Sequence, residues 1–222
     1  MSRLKVLSYK SLLIILICMA GAGISCSRTE PKIAFGFIEM VYYPGAEKPE
    51  ERFSFFVIPE DDDGIENLGE LYLHHDRDGL RWLIKSEEWV KVEEEGRTWI
   101  GSRNIAMSGD ESLPRGQYRA VLINKGGEKT ERNFTFDAPV DPRYPFPLLV
   151  IGEGKYRIDS QYPVNRLICY DQQGNVLQTV IVVNNSGNVS DLNVSANARS
   201  AALWAEDPEY RTSALTEAAA IR

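Results

Sequence analysis

The chain holds only two histidines, and they are adjacent: His74-His75, followed closely by Asp76 and Asp78. Imidazoles and carboxylates ligate metals and move protons, so any such chemistry would have to start here. The spacing works against a shared metal. The flanking residues alternate as in a strand, and neighbouring strand residues point to opposite faces. A serine hydrolase would have to draw its histidine from this pair, yet no Gly-x-Ser-x-Gly marks a nucleophile and no His-Glu-x-x-His marks a zinc site. His74, His75, Asp76 and Asp78 therefore stand as candidates for binding a metal or a carbohydrate, at what reads as a solvated hairpin tip. No catalytic residue, metal site or cofactor is assigned.

Two other groups invite chemistry. Asp61-Asp62-Asp63-Gly64-Ile65-Glu66 clusters hard oxygen donors around a glycine, which suggests calcium. It lacks the alternating acidic positions of an EF-hand loop, and a charged run is usually a solvated surface loop. Cys169 sits in the apolar run Leu167-Ile168-Cys169-Tyr170 and reads as a small buried hydrophobe. With 32 acidic residues, carboxylate pairs suited to glycoside hydrolysis arise by number alone and carry no signal.

The elements that would position these residues read as strands. Ile33 to Tyr43 and Phe53 to Ile58 are rich in aromatic and branched side chains, and Pro44-Gly45 and Pro59 stop them. Their aromatics Phe35, Phe37, Tyr42, Tyr43, Phe53, Phe55 and Phe56 suit a core, with a binding groove as the alternative. Leu71 to His75 and Leu80 to Lys85 flank Asp76-Arg77-Asp78-Gly79, the clearest hairpin in the chain. Period two puts Leu71, Leu73 and His75 on one face, and Trp82 is the expected anchor across from them. Trp89 to Val92 and Arg97 to Ile100 are further short strands. Leu113-Pro114-Arg115-Gly116-Gln117-Tyr118 then leads into an alternating strand that Asn133 to Phe136 pairs with.

The Pro114-x-Gly116-x-Tyr118 lead-in followed by a hairpin resembles the tyrosine corner and last two strands of immunoglobulin-like and fibronectin type III domains. That resemblance covers roughly residues 33–137. It implies a β-sandwich in which the Tyr118 hydroxyl bonds back to the preceding backbone. The missing cysteine pair separates it from antibody-type domains.

Residues 138–147 contain four prolines, which favour an extended linker. Residues 148–222 form a smaller β-rich module. Its best hairpin lies across Asp171-Gln172-Gln173-Gly174-Asn175, Asn184 to Asn188 reads as a turn, and Ala214 to Ile221 suits either a helix or a strand. No repeat links the two parts by eye. The fold class is mainly β: an immunoglobulin-like β-sandwich, then the smaller module, behind an N-terminal signal helix.

That signal occupies residues 1–25. Arg3, Lys5 and Lys10 precede the apolar run Ser11 to Ala20, and small residues close it, as in a secretory signal rather than a membrane span. Gly23-Ile24-Ser25-Cys26 resembles the lipobox of bacterial lipoproteins. Glycine stands where leucine is usual, which resembles the relaxed lipoboxes of spirochaetes. The resemblance implies lipidation (palmitate or a similar acyl chain) of Cys26 and a tether over residues 26–32. The alternatives are cleavage after Ala20-Gly21-Ala22, releasing a secreted protein, and no cleavage at all. With Cys18 lost in the signal and Cys26 lipidated, Cys169 is left without an internal disulfide partner.

Loss of the three basic signal residues takes the net charge from −7 to −10. Such acidity argues against nucleic acid and against an electrostatic membrane signal. The expectation is a non-catalytic, lipid-anchored envelope protein that meets the membrane through its N-terminal lipid and presents its sandwich to a protein partner. The alternatives are a metal- or carbohydrate-binding module or hydrolase using His74 and His75, and a transport accessory lipoprotein.

Overall fold

A computed structural model describes residues 29–109 and 111–221; the signal and Cys26 lie outside the described residues. The described chain is built of strands and short 3-10 turns, with no α-helix among the described residues.

Eight strands make the first half: β1 (Lys32–Tyr43), β2 (Glu50–Glu60), β3 (Leu68–His75), β4 (Leu80–Lys85), β5 (Val90–Glu94), β6 (Arg97–Ile105), β7 (Gly116–Asn124) and β8 (Lys129–Phe136). They divide into β1-β2-β6-β5 and β4-β3-β7-β8. Lettered in chain order, these are A-B-E-D against C′-C-F-G, the strand order of an immunoglobulin-like sandwich. Ile38, Met40, Phe53, Phe55 and Val57 face inward from one sheet, and Leu71, Leu73, Ala120 and Leu122 from the other; each is 0% exposed. The expected hairpin is β3–β4, and its turn closes on Gly79 at φ 66°, a left-handed conformation that glycine adopts at no steric cost. Trp82 is half-buried against the core rather than enclosed by it, with its indole N–H donating to the Ala106 carbonyl at 2.9 Å.

The tyrosine corner is present. Tyr118, at the start of β7, is 1% exposed, and its hydroxyl donates to the Pro114 carbonyl at 2.6 Å. Arg115 beside it bridges the two sheets. Its guanidinium reaches both carboxylate oxygens of Glu51 at 3.2 Å, and it also donates to the carbonyls of Ala138, Pro139 and Val140. The proline-rich segment therefore leaves the first sandwich held by its backbone carbonyls.

The second half contains β9 (Leu148–Gly152), β10 (Lys155–Asp159), β11 (Val164–Tyr170), β12 (Val176–Ile181), β13 (Ser186–Asn188), β14 (Ser200–Asp207), β15 (Thr212–Leu215) and β16 (Ala219–Ala220). The expected turn at Asn184 to Asn188 contains the short strand β13, and the Ala-rich end is strand, not helix. Alanine's helix propensity yields here to pairing with β14. The sheets are β9-β10-β13 and β12-β11-β14 with β15 and β16 both on β14. That is A-B-E against C′-C-F-G, with the last strand in two pieces. The smaller module thus repeats the sandwich plan of the first half.

The halves join edge to edge. β15 pairs parallel with β1, setting Met40, Val41 and Tyr42 against Thr212, Ser213 and Ala214. One sheet consequently runs β12-β11-β14-β15-β1-β2-β6-β5 through both sandwiches.

Two substitutions test this packing by chemical denaturation. Glu51→Gln removes one charge of a pair whose side chains are 9% and 12% exposed; an uncompensated buried guanidinium is expected to cost about 3 kcal/mol. Tyr118→Phe is expected to cost about 1 kcal/mol through the lost corner hydrogen bond.

Candidate functional site

The long sheet has a core face in each sandwich and an opposite face that no sandwich partner covers. On that opposite face β1 presents Phe37, Glu39, Val41 and Tyr43, while β11 presents Arg166, Ile168 and Tyr170 from the other half. Sheets twist, and wide ones curl. Here the joined strands enclose a groove of about 680 Å³ that opens to solvent, within the size range of ligand sites. Its floor is buried although it lies outside both cores: Val41 is 1%, Phe56 4% and Ser213 0% exposed.

Aromatic side chains make the walls. Phe37 stacks on Phe56 at 5.8 Å and meets Trp99 edge-on at 5.4 Å. Phe35, 52% exposed, extends that wall by an edge contact with Trp99 at 5.9 Å. Tyr170 and Trp204 face them from the second sandwich. Such rings offer large apolar area at small cost in conformational entropy, the composition of recognition surfaces.

A few polar groups converge on this apolar lining. Arg103 lies over the Phe56 ring at 5.8 Å, and Arg166 is paired with Glu206. Glu39 sits on the floor at the junction itself and accepts a hydrogen bond from the Ser213 hydroxyl on β15. Burial raises the Glu39 carboxyl above the usual glutamate range; the Ser213 hydrogen bond and the Arg211 charge oppose the shift without cancelling it. The carboxylate is thus a desolvated acceptor in a site that can meet both apolar surface and a hydrogen-bond donor.

The residues singled out from sequence lie elsewhere. His74 and His75 point to opposite faces of β3, as period two requires. His75 is 1% exposed, packed on the Tyr118 ring at 4.8 Å, with Nδ1 3.1 Å from Asp78 Oδ2 but not aligned for a hydrogen bond. His74 is half-buried beside Tyr72 on the other face, and desolvation lowers its pKa, helped by the Arg119 charge. Asp76 accepts two hydrogen bonds from Arg119 at 2.8 Å. The structure therefore brings His75 and Asp78 together, keeps His74 apart, and occupies Asp76 with arginine. Among the described residues no group of three or more His, Cys, Asp or Glu side chains could hold a metal ion. Asp61 accepts from the Asp63 backbone and the Asn67 amide, so it closes its own turn. Cys169 is 0% exposed, and burial raises its thiol pKa. Cys26 lies outside the described residues.

The aromatics of β1 and β2 divide by parity. Tyr42, Phe53 and Phe55 enter the core, while Phe35, Phe37, Tyr43 and Phe56 form or flank the groove. Trp99, Tyr170 and Trp204 were not recognisable as groove residues from sequence. The one signal available was that β1 and β2 are apolar on both faces, more than a single core needs.

No protein-family model matches the chain, and no curated protein does. Among solved structures, the dimeric latent PorU of Porphyromonas gingivalis is 14% identical over 87% of this chain at a TM-score of 0.33, and this chain spans 20% of that one. Murine CEACAM1b is 8% identical over 85% of this chain and 99% of that chain, TM-score 0.26. Dpr11 IG1 bound to DIP-gamma IG+IG2 is 12% identical over 85% of this chain and 100% of that chain, TM-score 0.25. The immunoglobulin-like assignment rests on the strand order of the two sandwiches.

Glu39 makes the groove testable by pH. Its raised pKa means the folded state holds a proton that the unfolded state releases earlier, so ionisation subtracts stability as pH rises through and above about 4.3. Glu39→Gln is therefore expected to raise Tm at neutral pH. The gain should disappear below the ordinary glutamate range, as read by thermal melts between about pH 3 and pH 8.

Proposed function

We propose that this chain is a non-catalytic cell-envelope protein, anchored to a bacterial membrane by lipid on Cys26, and that the joint groove is where it grips a protein partner. In this reading residues 1–25 are the signal, 26–32 the tether, 33–137 and 148–222 the two modules, and 138–147 their connector. The observation that carries it is the groove itself: both sandwiches contribute half-buried aromatic walls to one solvent-open face. A partner that covers this face removes apolar surface from water, and Trp99 and Trp204 are the expected anchors. The acidic balance suits a protein partner better than nucleic acid or an anionic lipid surface.

Anchoring and gripping are tested separately. In a bacterial host, fatty-acid label is expected on the wild-type chain and absent from Cys26→Ala, which should leave the membrane fraction; no label on wild type removes the anchor from the account. For the groove, a photo-crosslinking amino acid is placed at Phe35 or Arg103, and at Leu83 on the other sheet as control. A discrete protein adduct is expected from the first two positions only, falling at least tenfold when Trp204→Ala is added, as for a hot-spot residue. Equal adducts from all three positions would mean that the groove is not the contact surface.

A further inference from the structure

The free edges of the sheets are protected unequally. β5, at one end of the long sheet, carries Lys91, Glu93 and Glu94; β4 carries Arg81 and Lys85; β8 carries Lys129, Glu131 and Arg132. Charges on an edge are a standard defence against pairing with another chain. β12, at the other end of the long sheet, reads Val-Leu-Gln-Thr-Val-Ile, with no charge, no proline and no glycine; the edge strand β9 is also uncharged but closes on Gly152. The inner side of β12 pairs with β11 through a bulge at Leu177, and no strand pairs with its outer side among the described residues, so the regular edge is Gln178 to Ile181. The stretch also gathers exposed apolar side chains: Val176 is 61%, Leu177 40%, Ile181 67% and, just beyond the strand, Val183 88% exposed. An edge with unpaired N–H and C=O groups and a row of exposed branched side chains is a template for a further strand.

We infer that the strand added there is β12 of a second copy, in antiparallel register, so that the long sheet continues through a two-fold dimer. Self-pairing fits this edge in three respects. A two-fold axis normal to the sheet sets groove face beside groove face, so neither side turns its core residues to water. Centred on Thr179, which is exposed on the groove face, it sets Thr179 opposite itself within the regular stretch Gln178 to Ile181 and leaves the bulged Leu177 at the border of the pairing. Thr–Thr pairs are favourable cross-strand neighbours. Finally, two copies of a chain with net charge −7 repel in general, and an uncharged edge is where close approach opposes no charge to its like. One strand pair covers less than the roughly 800 Å² per partner of a stable interface. The dimer is accordingly concentration-dependent, and it lays two grooves side by side.

Single cysteines introduced at Thr179 and Ile181 in the full chain, expressed in intact cells, test the pairing, with Lys91→Cys and Lys129→Cys on the charged edges and the parent chain as controls. Thr179→Cys is expected to form a disulfide-linked dimer under mild oxidation at least tenfold more than either control. Ile181→Cys should link through a bis-maleimide. Adding Leu177→Lys, an exposed change that leaves the fold intact, should abolish the Thr179→Cys dimer, whereas Leu83→Lys should not. Cross-linking at β12 no greater than at the control edges overturns the inference. So does an adduct at Thr179→Cys whose mass is that of another protein. Neither outcome depends on what the groove binds.

Discussion

The parallel pairing of β1 with β15 is the contact on which the rest depends. Each sandwich could close its own core without it. Its consequence lies on the far face: the backbone bonds that set Val41 against Ser213 place the outward side chains of two sandwiches on one curved surface. The Met40 amide bonding to the Arg211 carbonyl at 3.0 Å extends this seam by one residue. Tandem sandwiches linked only by residues 138–147 would be free to reorient, since small or polar domain contacts permit motion. A hydrogen-bonded seam with Glu39 and Ser213 paired across it holds the groove at one width.

The seam also accounts for an excess of aromatic residues. A single sandwich needs one apolar face per strand, and β1 and β2 have two. Their inward set, Ile38, Met40, Phe53 and Phe55, fills the core; their outward set lines the groove with Trp99, Tyr43, Tyr170 and Trp204, Val41 and Phe56 being buried there and Phe37 half-buried. A half-buried aromatic layer stabilises little while it stays open to water, and covering it gives the apolar effect its full value. This is the physical sense in which the groove is a recognition surface. The seven aromatics of β1 and β2 suit a core or a binding groove by sequence, and they divide between the two: three enter the core and four lie at or beside the groove.

Legibility from sequence followed locality. The β3–β4 hairpin was readable because Asp76-Arg77-Asp78-Gly79 supplies turn chemistry between two alternating runs, and Tyr118 because Pro114 and Gly116 sit at fixed offsets from it. Period two alone places His74 and His75 on opposite faces of their strand. What escaped was non-local. β13 is three residues inside Asn-Asn-Ser-Gly-Asn, a composition that reads as turn, and only pairing with β10 makes it a strand. β15 overlaps at Ala214 and Leu215 the stretch that suits either a helix or a strand, and it becomes a strand by pairing on both sides. Without those two strands the second half does not count up to a sandwich, and without β15 there is no seam and no groove. Trp204 and Tyr170 therefore looked like ordinary strand residues, because their neighbours across the groove, Phe37 and Trp99, lie far away in the chain.

The most direct measurement of the seam is amide hydrogen exchange, resolved by residue, on the folded chain. Buried ladder amides open only with the unit that contains them. The account predicts that the amides of Met40 to Tyr42 and Thr212 to Leu215 exchange as slowly as those of Phe55 and Leu203 in the two cores. Fast exchange along the seam, with both cores still protected, would mean that the sandwiches move independently and that the groove between them is not a fixed site.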